Sequence, residues 1–151
     1  MRISGRLPFP AAVALALFAG LASARADDAP PDCDAPATML DEIFCAQVDV
    51  KVADIVLENL LPTVLDHART RDDELEGLMT ELGVQTTVDL LEQGQRDWAA
   101  YRASTCRYVG YVYFGGSMQP LEEQRCLARM ARERFALLNA SLPEALRKSA
   151  E

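Results

Sequence analysis

Four cysteines, Cys33, Cys45, Cys106 and Cys126, constrain this chain more than any other feature. They stand as one pair toward each end of a 151-residue sequence. What they can form depends on the compartment, since thiols stay reduced in the cytosol and oxidise to disulfides outside it. The N-terminus decides between the two. Arg2 and Arg6 give a positive start, Pro10–Ala22 is an unbroken apolar or small-residue stretch, and Ala22-Ser23-Ala24 and Ala24-Arg25-Ala26 offer small-residue cleavage sites. That pattern predicts a secretory signal peptide over residues 1–26. The apolar run is shorter than the roughly 20 residues a membrane helix needs, and no later segment reads as a span. The expected location is periplasmic or secreted, after cleavage near Ala26.

In that setting an even number of cysteines predicts disulfides. Four allow three pairings, and Cys33–Cys45 with Cys106–Cys126 is favoured because each joins neighbours in sequence. Loops of that size stabilise by roughly 3 kcal/mol each in the chain-entropy picture. A zinc site is the rival reading. No C-x-x-C spacing supports it, and the single histidine, His67, is far from the cysteines in sequence. Neither a metal nor a cofactor is expected.

Charge narrows the partners. The chain carries 15 Lys and Arg against 23 Asp and Glu, a net −8. Cleavage after Ala26 removes Arg2, Arg6 and Arg25 but no acid, which takes the mature balance to −11. Such a chain lacks the basic clusters that displace counterions from nucleic acid, and an anionic membrane surface repels it.

The rest reads as helices. Asp27–Pro36 is rich in Pro, Asp and Ala without an apolar period, so residues 27–36 are expected to be a flexible leader. Thr38-x-x-Asp41 is a capping box. Apolar residues then recur at Leu40, Ile43, Phe44, Val48, Val52, Ile55, Val56 and Leu60 with helical spacing. Strict alternation is absent, which disfavours a strand. Pro62 lacks a donor and predicts a kink or end near Leu61. Thr70-x-x-Asp73 resembles a second capping box, with Gly83 as a stop. Thr86-x-x-Asp89 opens a further helix that carries Leu91, Trp98 and Tyr101 and ends near Cys106. Arg107–Gln119, dense in Tyr108, Tyr111, Tyr113 and Phe114 before Gly115-Gly116-Ser117, predicts an ordered loop or a short extended piece. Pro120 suits the first position of a last helix, with Leu121, Leu127, Met130, Leu137 and Leu138 as its stripe. The predicted fold is all-α, a small bundle of three to four helices stapled by two disulfides, over residues 37–142 with a tail at 143–151.

Catalytic patterns are weak. His67 lies among Asp66, Arg69 and Arg71 and reads as a solvated surface residue. No nucleophile elbow or dinucleotide fingerprint occurs. Glu122/Glu123 and Asp72/Asp73/Glu74 are carboxylate groups of the kind that glycoside hydrolysis uses. They also sit where a helix dipole favours acids. Trp98 and Tyr101, one turn apart, suit a sugar-stacking platform or, more simply, the core. Asn139-Ala140-Ser141 matches a glycosylation sequon. No enzyme is expected.

One segment carries a family resemblance. Gln95-Arg96-Asp97-Trp98-Ala99-Ala100-Tyr101-Arg102-Ala103-Ser104-Thr105-Cys106 resembles the Q-x-x-W-x-x-Y-R-x-x-x-C signature of the lysozyme inhibitor LprI-like N-terminal domain family, small exported helical bacterial proteins. Cys33, Thr38 and Cys45-Ala46 are similar to its opening, Gly115-Gly116-Ser117 to its loop, and Cys126, Arg134 and Leu138 to its close. Trp98, Tyr101, Arg102 and Arg134 are the motif residues carried over. Met39 and Ile43-Phe44 depart from the family pattern, and Pro62–Gly83 is longer than usual. The resemblance implies binding, with a basic lysozyme as the protein partner. The alternative is an envelope structural or interaction protein with another partner. Tyr111, Tyr113 and Ser117, inside the Cys106–Cys126 loop, are the candidate partner-binding residues.

Overall fold

The computed structural model describes residues 30–149. The expected signal peptide, the start of the leader and the last two residues of the tail lie outside them. Three α-helices make the fold: α1 over Met39–Leu82, α2 over Thr87–Tyr111 and α3 over Met118–Ala140, followed by a short 3-10 turn at Glu144–Leu146. Every pair of helices is in contact. The expected all-α bundle with two disulfides is thus the fold, with three helices rather than four.

Local signals start and stop these helices as read. Thr38 Oγ1 accepts the Asp41 N–H while the Asp41 carboxylate accepts the Thr38 N–H, a complete capping box. Gly83, at φ 63°, closes α1 in the left-handed region, where a side chain is disfavoured. Thr86 Oγ1 accepts the Asp89 N–H and opens α2.

Pro62 does not end α1, which runs unbroken for 44 residues, about 66 Å at 1.5 Å per residue. A proline in a helix interior costs about 3 kcal/mol. Here Leu57, Leu60 and Val64 lie on either side of it and all three are buried in one cluster with Phe135, Leu138 and Leu142. Each such burial gains roughly 1.5–3 kcal/mol, so packing outweighs the lost hydrogen bond, and Pro62 itself is exposed. The expected helix start at Thr70-Asp73 is absent too, since α1 runs on through it to Leu82. Thr70 is inside α1 and its hydroxyl donates to the Asp66 carbonyl.

The buried face of α1 differs from the expected one. It consists of Ala46, Ala53, Leu57, Leu60, Val64 and Ala68. Leu40, Phe44, Val48, Val52 and Ile55 are exposed. At 3.6 residues per turn the two sets fall on nearly opposite sides. Of the expected stripe Leu60 is buried and Val56 packs against the core, while the large apolar residues nearer the start of α1 are left outside. On α3, Leu121, Met130 and Leu138 are buried as expected, whereas Leu137 is exposed.

Helix α2 extends past Cys106 to Tyr111, so the expected loop shrinks to Val112–Ser117. Helix α3 starts at Met118 with Pro120 in its first turn. A second cluster joins Cys106, Cys126 and Met130 at this end. The C-terminal segment is tied back: Leu142 is buried, and Asn139 holds Lys148 through a hydrogen bond to its carbonyl and one from its N–H, both 2.8 Å.

Candidate functional site

The motif residues divide into those that build the bundle and one that does not. Gln95, Trp98 and Arg102 share one face of α2. Trp98 is half-buried against the main core cluster, with the Arg102 and Arg134 guanidinium carbons 5.3 and 5.9 Å from its ring centroid. These are cation–π distances. Arg134 donates to Gln95 Oε1 at 2.6 Å, and burial pushes its guanidinium below the ordinary value. Arg102 Nε donates to the Leu127 carbonyl at 3.1 Å, and its Nη2 lies 2.8 Å from Asp54 Oδ1. One indole and two guanidiniums therefore bind all three helices together. Tyr101 is turned away from this network and is 61% exposed, which corrects its expected place in the core beside Trp98. Asp54 was not anticipated. An acid among the apolar positions of α1 was its only sequence signal.

One acid organises the start of α2. Asp72, on α1, accepts the N–H groups of Thr87 and Val88 at 2.6 and 3.0 Å and so caps α2. Burial pushes its carboxyl up, but the Val88 amide and the side chain and amide of Thr87 outweigh this and hold it below the usual carboxylate value. His67 is half-buried beside Val64, Ala68 and Leu138 rather than freely solvated.

The aromatic segment is an exposed apolar feature at the other end of the molecule's second helix. Tyr108, Tyr111, Tyr113 and Phe114 are all exposed, as are Val112 and Ser117. The Tyr111 and Phe114 rings are tilted against each other at 5.4 Å. With Tyr101, all four tyrosines of the chain stand on the surface of α2 and the turn that follows it. Patches of this kind mark interaction sites in soluble proteins, and tyrosine is favoured there because it joins an apolar body to a polar tip.

This turn is built rather than loose. Tyr113 N–H donates to the Gly110 carbonyl, Phe114 N–H to Tyr111, Gly116 N–H to Tyr113 and Gln119 N–H to Gly116, at 2.9 to 3.1 Å. Gln119 Oε1 accepts the Gly115 N–H, where φ is 80°. Below it, Cys106–Cys126 closes the segment, with both cysteines buried. Gly110 is buried at the helix crossing. A Cβ there would stand 2.9 Å from the Gln119 carbonyl oxygen and 3.1 Å from Glu123 Cβ. The turn is thus presented on a preformed base, which lowers the entropy cost of binding.

The carboxylate groups read from the sequence do not converge. Glu122 pairs with Arg125 at 2.9 Å, while Asp72 is taken up by the α2 amides. Among the described residues no group of three metal-ligating side chains is present, and no helix is long and apolar enough to cross a membrane. The sequon residue Asn139 has its amide engaged with Lys148.

Comparison with known proteins agrees with the residues that carry the fold. An uncharacterised protein of Rhizobium meliloti (strain 1021) is 32% identical over 124 residues, covering 82% of this chain and 88% of the relative. No solved structure matches. Residues 33–138, from the first cysteine to the buried Leu138, match the family described as lysozyme inhibitor LprI. With its two disulfides and the Gln95–Trp98–Arg102–Arg134 network inside that span, the chain belongs to the LprI lysozyme inhibitor family.

Proposed function

We propose that this protein is an exported binding protein that inhibits a lysozyme, acts without catalysis of its own, and uses the turn between α2 and α3 as its contact surface. The carrying observation is the exposed set Tyr108, Tyr111, Tyr113 and Phe114, with Ser117 beside it, at the end of α2 and on the turn that follows, a segment closed by the buried Cys106–Cys126 bridge. Family membership supplies the target class, and two disulfides fit an oxidising compartment. An acidic chain also steers toward a basic lysozyme, raising the encounter rate most at low salt.

The test is inhibition of c-type, g-type and i-type lysozymes by the purified, oxidised protein at low ionic strength. At least one type is expected to be inhibited. The double variant Tyr113→Ala/Phe114→Ala is expected to weaken that inhibition about thirtyfold, the scale of losing an aromatic hot spot, with thermal stability unchanged. Failure against all three types removes the inhibitor reading. A specific envelope protein recovered through the same turn would then favour an interaction protein with a different partner.

A further inference from the structure

A second surface, away from the aromatic turn, carries positive charge. Between α1 and α3 lies a groove of about 470 Å³, within the range of small-molecule sites. Its apolar lining comes from Val52, Ala53 and Val56 on α1 and Phe135, Ala136 and Ala140 on α3. The alanines keep the two helices from filling it. Three cations, Arg132, Arg147 and Lys148, line it as well, with the amide of Asn139.

The cations are not equivalent. Arg132 lies 3.5 Å from Asp49, an exposed ion pair. Arg147 donates to the Leu142 and Ala140 carbonyls at the end of α3, and Lys148 is fixed by Asn139 on both sides of its backbone. Among the described residues neither has a carboxylate within ion-pair distance. The positive charge therefore lies at one end of an apolar trough, on a chain whose net charge is −8.

We propose that this groove binds a single-chain fatty carboxylate, its alkyl chain along Ala53, Phe135 and Ala136 and its carboxylate at Arg147 and Lys148. An apolar trough with cations at one end matches an amphiphile with one anionic head, and guanidinium suits a carboxylate in particular. A basic protein partner meets like charge here, so the groove and the aromatic turn select different ligands. A second copy of this acidic chain brings net repulsion to the same place.

Laurate below its micellar concentration is the probe, measured by calorimetry and by displacement of fluorescent cis-parinaric acid from the purified, oxidised protein. One-to-one saturable binding is expected. Ala136→Phe changes an exposed position, fills the trough and is expected to abolish binding with the melting temperature maintained. Lys148→Glu is expected to weaken laurate about tenfold, and dodecanol to bind about tenfold more weakly than laurate. Tyr113→Ala/Phe114→Ala is expected to leave laurate binding unchanged, which keeps this site independent of the lysozyme reading. Absence of saturable binding, binding that survives Ala136→Phe, or equal affinity for dodecanol overturns the proposal. So does a dimer of the free protein that Ala136→Phe dissolves, which would give the groove to a second copy.

Discussion

Replacing Gly110 by alanine sets two known effects against each other. Alanine is favoured over glycine inside a helix by roughly 0.5–1 kcal/mol. The added methyl would stand 2.9 Å from the Gln119 carbonyl oxygen, a backbone atom inside α3, and 3.1 Å from Glu123 Cβ. Ordinary contact needs α2 and α3 to separate by roughly half an ångström, against packing that tolerates little added volume. The Cys106–Cys126 bridge, one turn away, and the Arg102–Leu127 hydrogen bond oppose that movement. Overpacking of this kind costs typically 1–3 kcal/mol, so Gly110→Ala should destabilise by about 1–2 kcal/mol net. For a domain of this size that lowers the melting temperature by roughly 4–10 °C. Gly77, in α1, has nothing within 4 Å of its would-be Cβ, and Gly77→Ala should instead stabilise by about 0.5–1 kcal/mol. Thermal and urea denaturation of both variants, followed by circular dichroism, measures the difference. If Gly110→Ala stabilises the protein as much as Gly77→Ala does, the close approach of α2 and α3 is wrong.

Three further outcomes are expected. Trp98→Ala should cost about 3 kcal/mol by equilibrium unfolding, because it leaves the Arg102 and Arg134 guanidiniums without the ring between the helices. A cost below about 1 kcal/mol would place Trp98 outside the core. Asp72 has its pKa held below the unfolded value, so its contribution to stability is present above the unfolded pKa and is lost as pH falls through the folded one. Asp72→Asn should accordingly flatten the acid side of the stability profile and lower the melting temperature at neutral pH, while an unchanged profile would remove its capping role. Replacing Cys106 and Cys126 together by alanine opens a loop of sequence separation 20 and should cost roughly 3 kcal/mol. Lysozyme inhibition in that variant should fall by more than the loss of folded protein explains, since the turn loses its closure.

What was legible in the sequence was local. Thr38, Gly83 and Thr86 announce helix ends through side chains that bond to amides within three residues or through a backbone conformation that glycine favours, and all three hold. The disulfide pairing follows from short separations. What escaped was decided across helices. Pro62 reads as a break because its cost is local, whereas the burial of Leu60 and Val64 against Phe135 and Leu138 depends on α3. The buried face of α1 was misread because large apolar residues dominate any count of periodicity. Ala46 and Ala53, which are buried on that face, weigh lightly in such a count. Within the candidate site, Tyr111 ends α2, and Tyr113 and Ser117 lie on the exposed turn that follows it. The extension of α2 to Tyr111 and the special position of Gly110 required the helix crossing itself.

The pairing of each cysteine with its neighbour in the chain has a consequence for how the molecule comes into being. A polypeptide emerges N-terminus first, so Cys33 meets Cys45 before Cys106 exists outside the ribosome or translocon. Cys106 in turn has Cys126 as its first unpaired companion. Sequential oxidation therefore yields the native bridges by order of arrival alone, and the two crossed or nested arrangements require an earlier bond to be broken. A chain wired in this way can mature in an oxidising compartment with little need for a disulfide isomerase.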